Sequence, residues 1–386
     1  CTTSTLTIAA SSPSPSPSPS PSMSQQPKLP SGLVNTLTSH TGPINAIAFS
    51  SQGGTYILTG SSDRQIHLSR TEPPSNSYGR DANAGSGGGG GGGGGAIQKY
   101  AAHGYPVLDI AVAQDNRTFA SVGGDRSVFL WDVASGGVGA DGKGGTLRRL
   151  GSNTSHGHTS RINCVAFAGD GVVVSGGDDT TVRLWDLKSR DAKPLMVLDE
   201  AKDGISSVVV PEIAGYEIVA GSVDGRLRSY DVRMGRVTAD VMPGPVTSLD
   251  VSRDARTVLV GCLDGRIRMM DRTDGTCLRA FPPPPSPPDP LEGNGNGEGM
   301  IPYYKNDSLR LKSCFAINES LVLSGSENDG RVRGWDVLSG KSVGSVDVNS
   351  SGKVVSVVRW REGSQAQGRQ GLWAGGGAEG IVKIYS

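Results

Sequence analysis

Residues 175–188 read SGGDDTTVRLWDLK, with His158 a short way upstream. Serine, histidine and aspartate this close together match a hydrolytic triad, and equally a buried hydrogen-bond network built from the same side chains. Recurrence separates the two readings. Aspartates fall at Asp63, Asp125, Asp179, Asp224, Asp264 and Asp329, with Glu379 in the corresponding place of a seventh copy. Six residues after each stands Ser69, Trp131, Trp185, Tyr230, Met270, Trp335 or Tyr385.

Each copy has the same internal order. An apolar alternation such as INCVAF (162–167) or PVTSLDV (245–251) predicts a first strand, and VVVSGG (172–177) a second. A tight Gly/Asp turn leads to a third, TVRLWD (181–186). A more polar fourth follows, as in TLRRL (146–150), PLMVLD (194–199) and KSVGSVDV (341–348). Period-two patterning between tight turns identifies antiparallel strands. Four-stranded sheets that cannot bury their faces alone stack radially, so the expected fold is all-β, a seven-bladed β-propeller. The last copy stops after its third strand, and GLVNTLTSH (32–40) precedes the first. That spare strand is expected to complete the last blade and close the ring.

The 57 glycines and few aromatics suit short strands and turns rather than a helical bundle. Residues 1–31, with SPSPSPSPSPS at 12–22, read as a disordered Ser/Pro-rich tail, leaving 32–386 to the propeller. Gly- or Pro-rich insertions at about 79–96, 134–146, 282–305 and 361–371 are likewise expected to be disordered. Lys+Arg and Asp+Glu balance at 37 each, so no overall field points to nucleic acid or a membrane. No apolar run approaches the roughly 18 residues of a membrane span, and no basic-then-apolar leader opens the chain. Five cysteines without CxxC spacing suit a reducing compartment and argue against zinc.

In the third copy His158, Ser175, Asp179 and Trp185 form a candidate structural tetrad, and the second copy repeats it with His103, Ser121, Asp125 and Trp131. Copy one has His40, Thr59 and Asp63 without the tryptophan. A catalytic triad would occur once, beside an oxyanion hole. Catalytic, metal and cofactor sites are therefore expected to be absent. His67 stands alone in a strand, and the poly-glycine run at 87–95 lacks the Lys-Ser/Thr of a phosphate loop.

The GH-like starts, the SGG-x-D turns and the endings Trp131-Asp132, Trp185-Asp186 and Trp335-Asp336 resemble WD repeats over nearly all of 32–386. Closer likeness lies in HGYPVLDIAV (103–112), SVFLWDVASG (127–136), VLDEAKDGISSV (197–208) and AGSVDGRLRSYDVRMG (220–235). These resemble the family of WD-repeat proteins that organise mitogen-activated protein kinase cascades, including its AKDG in place of GH. The resemblance implies a non-enzymatic protein-interaction scaffold in cytoplasm and nucleus. Its partners would be kinase-cascade components or, alternatively, splicing factors of the spliceosome. It implies a monomer within larger complexes, with no direct nucleic-acid contact.

Copies four to six share DGRLR (224–228), DGRIR (264–268) and DGRVR (329–333). Arg226, Arg266 and Arg331, with Arg310 and Lys312 nearby, are candidate contacts for an acidic or phosphorylated partner. Local pairing with an acidic neighbour on the next strand is the competing account. Residues 203–340 hold 15 Lys/Arg against 19 Asp/Glu, so no net basic patch exists there. YDVR (230–233) resembles the Trp-Asp-x-Arg box of substrate receptors of cullin-4 ubiquitin ligases, making Arg233 an adaptor-box candidate.

Overall fold

In a computed structural model, the described residues are 27–51, 53–73, 95–134, 146–151, 156–169, 171–191, 193–213, 216–282, 304–363 and 371–386. They form 28 strands in seven four-stranded antiparallel sheets, with no helix among them. Six sheets are continuous in sequence, from innermost to outermost strand. The seventh is completed by Leu33–Leu37, which pairs antiparallel with Val382–Tyr385. Gly32 and Ser386 exchange backbone hydrogen bonds beyond that ladder (3.1 and 2.8 Å). The ring is a closed seven-bladed β-propeller.

Strands lie where period-two patterning places them: Ile162–Ala168, Val172–Gly177, Val182–Asp186 and Thr146–Leu150. Blade cores form between sheets rather than within them. Ala46, Leu58 and Ile66 of blade 1 pack with Val107, Ile110 and Phe119 of blade 2, and comparable clusters fill the other gaps. The same inner-strand register position repeatedly ties one blade to the next. The Asn45 amide donates to the Val107 carbonyl (2.8 Å), Asn163 to Ile205 (2.8 Å), Ser206 to Val246 (2.6 Å) and Ser356 to Ile44 (3.0 Å). Each accepting carbonyl belongs to the first residue of the next blade's inner strand, where the ladder to the second strand slips by one residue.

The ring extends beyond its expected limits. Leu29 is buried in the core between the last blades, and the Pro30 carbonyl accepts the Trp373 indole N–H (2.8 Å). Residues 27–31 therefore belong to the propeller, because an apolar side chain and a carbonyl there complete a buried site. At the end of the 282–305 insertion Tyr304 is buried against Phe281 and Trp335. Arg361, placed at the start of the last insertion, is buried and closes the inner strand Val357–Arg361. The bulk of the expected disordered segments lies outside the described residues.

Candidate functional site

The turn aspartates organise one rim of the ring. The residue after each acidic position has positive φ: Arg64, Arg126 and Thr180 in blades 1–3, and Gly225, Gly265, Gly330 and Gly380 in blades 4–7. Glycine takes that conformation without steric cost, whereas Thr180 holds it with a branched side chain. Turned in this way, the acidic side chain faces the loop that enters its own blade. Asp125 accepts the Gly104 N–H (2.9 Å), Asp179 that of Thr159 (2.9 Å) and Asp224 that of Lys202 (3.0 Å).

In blade 2 the His103 Nδ1–H donates to Asp125 (2.5 Å), and Nε2 meets the Ser121 hydroxyl (2.7 Å). The Trp131 indole donates to the same hydroxyl oxygen (2.8 Å). Blade 3 repeats the chain through His158, Asp179 (2.9 Å), Ser175 (2.8 Å) and Trp185 (2.8 Å). Thus Ser121 and Ser175 donate to histidine and accept from tryptophan. Both serines are fully buried. A hydroxyl with its donor and acceptor capacity used, and no route to solvent, cannot meet a substrate. The geometry is that of a triad; its surroundings make it a staple.

Blade 1 staples His40 to Asp63 (2.8 Å) and Thr59 (2.8 Å). His67, alone in the sequence, stacks on His40 with ring centroids 3.9 Å apart. It occupies the place four residues after the turn aspartate, the slot that Phe129 fills over His103 in blade 2. Blades 4–6 have no histidine, and there the same slot holds Arg228, Arg268 or Arg333. The Arg228 guanidinium grips Asp224 through two bonds (3.2 and 2.6 Å), Arg268 does the same to Asp264, and Arg333 reaches Asp329. In blade 6 Tyr304 supplies the hydroxyl contact to Ser324 (3.1 Å), its ring edge-on to Trp335. These four residues were not singled out from sequence. For the three arginines the signal was available in the second arginine of DGRxR.

The two kinds of staple differ in acid. His67 is held down to about 4, first by burial and then by the charge of His40. Burial also lowers His158, against the opposing pull of Asp179. Both folded values lie below the ordinary 6.5, so the unfolded chain binds protons first. Their contribution is complete above that value and falls as pH drops through it toward 4. For Asp179 burial opposes ionisation, yet His158 and the Thr159 N–H hold it down to about 2. Its contribution is present above the ordinary 3.8 and is lost as pH falls to the folded value. The melting temperature should therefore decline between about pH 7 and pH 5. His67→Gln should make that decline shallower; an unchanged slope in the variant, or no decline in the parent, would contradict the assignment.

Arg226, Arg266 and Arg331 each open the third strand of blades 4, 5 and 6, so they stand in an arc on adjacent blades. Arg331 donates to Asp347 on the next strand (2.5 Å), the local pairing that competes with a partner role. Arg226 and Arg266 make no side-chain ion pair among the described residues. Arg310 and Lys312 do not join the arc. Arg310 lies 3.8 Å from Asp178 of blade 3, and Lys312 lies 2.5 Å from Asp109 of blade 2. Blades 6 and 2 are not neighbours, so the Lys312–Asp109 pair crosses the central channel. Ser313 pairs with Ser324 as Ile110 pairs with Ser121, so Lys312 and Asp109 hold the same inner-strand position in their two blades. Arg233 lies over the Tyr216 ring, its guanidinium carbon 5.0 Å from the centroid. Among the described residues no three His, Cys, Asp or Glu side chains gather into a metal site.

Closed ring, seven sheets and a repeated turn staple define a WD-repeat β-propeller, and the chain is one. The WD domain, G-beta repeat family matches residues 31–68, 94–132, 151–186 and 238–271, which fall in blades 1, 2, 3 and 5 together with the closing strand. The chain is similar to the WD repeat domain-containing protein 83 homolog of Dictyostelium discoideum, 26% identical over 82% of this chain and 88% of that protein. It is 37% identical to WD repeat domain-containing protein 83 of Rattus norvegicus over 42% of this chain and 44% of that protein. Autophagy-related protein 16 of Arabidopsis thaliana is 26% identical over 82% of this chain and 52% of its own length.

Proposed function

We propose that this propeller is a non-enzymatic scaffold that holds protein partners, components of a mitogen-activated protein kinase cascade, on the rim bearing the turn staples. The observation that carries the reading is the full internal use of the Ser–His–Asp sets: their polar groups bind one another, which leaves a rigid display surface and neither Ser121 nor Ser175 free to attack a substrate. Arg226 and Arg266 on adjacent blades offer that surface two guanidiniums for an acidic or phosphorylated segment. The similarity to the WD repeat domain-containing protein 83 homolog of Dictyostelium discoideum over most of the chain supports a scaffold reading. The scaffold would work in cytoplasm and nucleus.

The test is a native-extract pull-down with the intact chain, compared with a variant carrying Arg226→Glu and Arg266→Glu. Neither residue joins a staple, so the variant should fold. Kinases and their adaptors recovered with the parent and lost with the variant are the expected result. Splicing proteins recovered equally with both would replace the kinase reading with a spliceosomal one.

A further inference from the structure

The inner strands begin at the stapled rim and end at the opposite one, where their last residues surround the mouth of the channel. That mouth is a cavity of about 880 Å³. Half-buried Phe49, Val112, Phe167, Val251 and Trp360 form its walls. It is blind. Toward the stapled rim the channel narrows to a void of about 30 Å³ lined by Asp109, Ser206, Ser248 and Lys312, where the crossing ion pair sits.

Charged groups are distributed unevenly in the mouth. Asp250, Glu212, Glu319 and Glu362 face two bases, Arg253 and Arg359. Arg253 is already held: its N–H donates to Glu319 (2.5 Å) and its guanidinium lies 3.5 Å from Glu362. Asp250, deep in the cavity, accepts the Phe315 N–H (2.8 Å). Burial raises its carboxyl above the usual range, and Arg359 offsets that only in part. Glu212 is exposed and makes no hydrogen bond or ion pair among the described residues. The lining therefore carries four carboxyl groups against two guanidiniums, with the charge of Asp250 opposed by its burial, set among aromatic and aliphatic walls.

We propose that this blind mouth docks a partner polypeptide that inserts one lysine or arginine flanked by large apolar side chains. Excess carboxylate selects a cation and disfavours a phosphate polymer or an acidic segment. Phe49, Phe167 and Trp360 provide surfaces for apolar flanks and for the face of a guanidinium. The volume lies within the roughly 300–1,000 Å³ of pockets that enclose several side chains' worth of ligand. The site rests on the scaffold reading and adds a second contact face with chemistry opposite to that of the arginine arc.

The test uses three labelled synthetic peptides, identical except for a central Arg, Gln or Glu between two leucines, titrated by fluorescence anisotropy into the intact chain. The Arg peptide should bind roughly tenfold more tightly than the Gln peptide, with the Glu peptide weakest. Exposed Glu212→Lys should shrink the Arg-over-Gln preference several-fold without disturbing the fold, and Asp250→Asn should do the same at the cavity floor. Equal binding of the three peptides, binding of none, or a preference untouched by Glu212→Lys would overturn the proposal. Because the pull-down variant lies on the other rim, failure here would leave the scaffold test standing.

Discussion

A chain beginning at Ser39 should fail to form a stable ring, whereas one beginning at Pro27 should melt like the full chain. The longer truncation removes the strand Leu33–Leu37 and its ladder to Val382–Tyr385. It also removes buried Leu29 and Leu37, each stabilising by roughly 1.5–3 kcal/mol. The Trp373 indole would lose its Pro30 acceptor, at a further cost of about 1–3 kcal/mol. Against the roughly 5–15 kcal/mol that separates folded from unfolded domains, this sum removes most of the margin. It also bares an edge strand that invites association. Circular dichroism melts and size-exclusion profiles of the two truncations would check it. A Ser39 start that stays monomeric and melts within about 2 °C of the parent would contradict ring closure as the source of stability.

The second large effect is expected at the channel. Lys312→Met should cost about 3 kcal/mol, because among the described residues it leaves the enclosed Asp109 carboxylate with the Val165 N–H (3.0 Å) as its remaining hydrogen-bond partner. Adding Asp109→Asn should recover most of that loss, since the amide oxygen can still accept from Val165 while the unpaired charge disappears. Denaturant melts of the parent, both single variants and the double variant give the coupling directly. A single variant as stable as the parent, or a double variant no better than Lys312→Met, would show that the crossing pair contributes nothing.

Much of this architecture was legible in the chain. Val172–Gly177 and Thr146–Leu150 are strands whose ends match the patterning, because alternation bounded by glycine or polar turns leaves little freedom of register. Ring closure followed from a missing strand at one end and a spare one at the other. The tetrad residues meet because each sits at a fixed offset from a turn aspartate. Other features lacked such a local signal. Tyr304 stands at the end of a Pro/Gly-rich insertion, where composition hides a single residue that packs. Leu29 follows a low-complexity tail. Arg228, Arg268 and Arg333 take the histidine's task because they point back at the turn, whereas Arg331, beside the glycine, reaches Asp347 on the next strand. Lys312 and Asp109 are 203 residues apart and meet only when the ring closes, so no window along the chain contains both.

A scaffold acts by raising effective concentration, and this has a quantitative signature. The most direct test purifies two proteins captured by the intact chain and measures their association with each other as the propeller is titrated in. The account predicts a bell-shaped curve: association rises while one ring holds both partners, then falls when excess rings hold them singly. A flat curve, or a monotonic rise to a plateau, would contradict the claim that the ring assembles its partners.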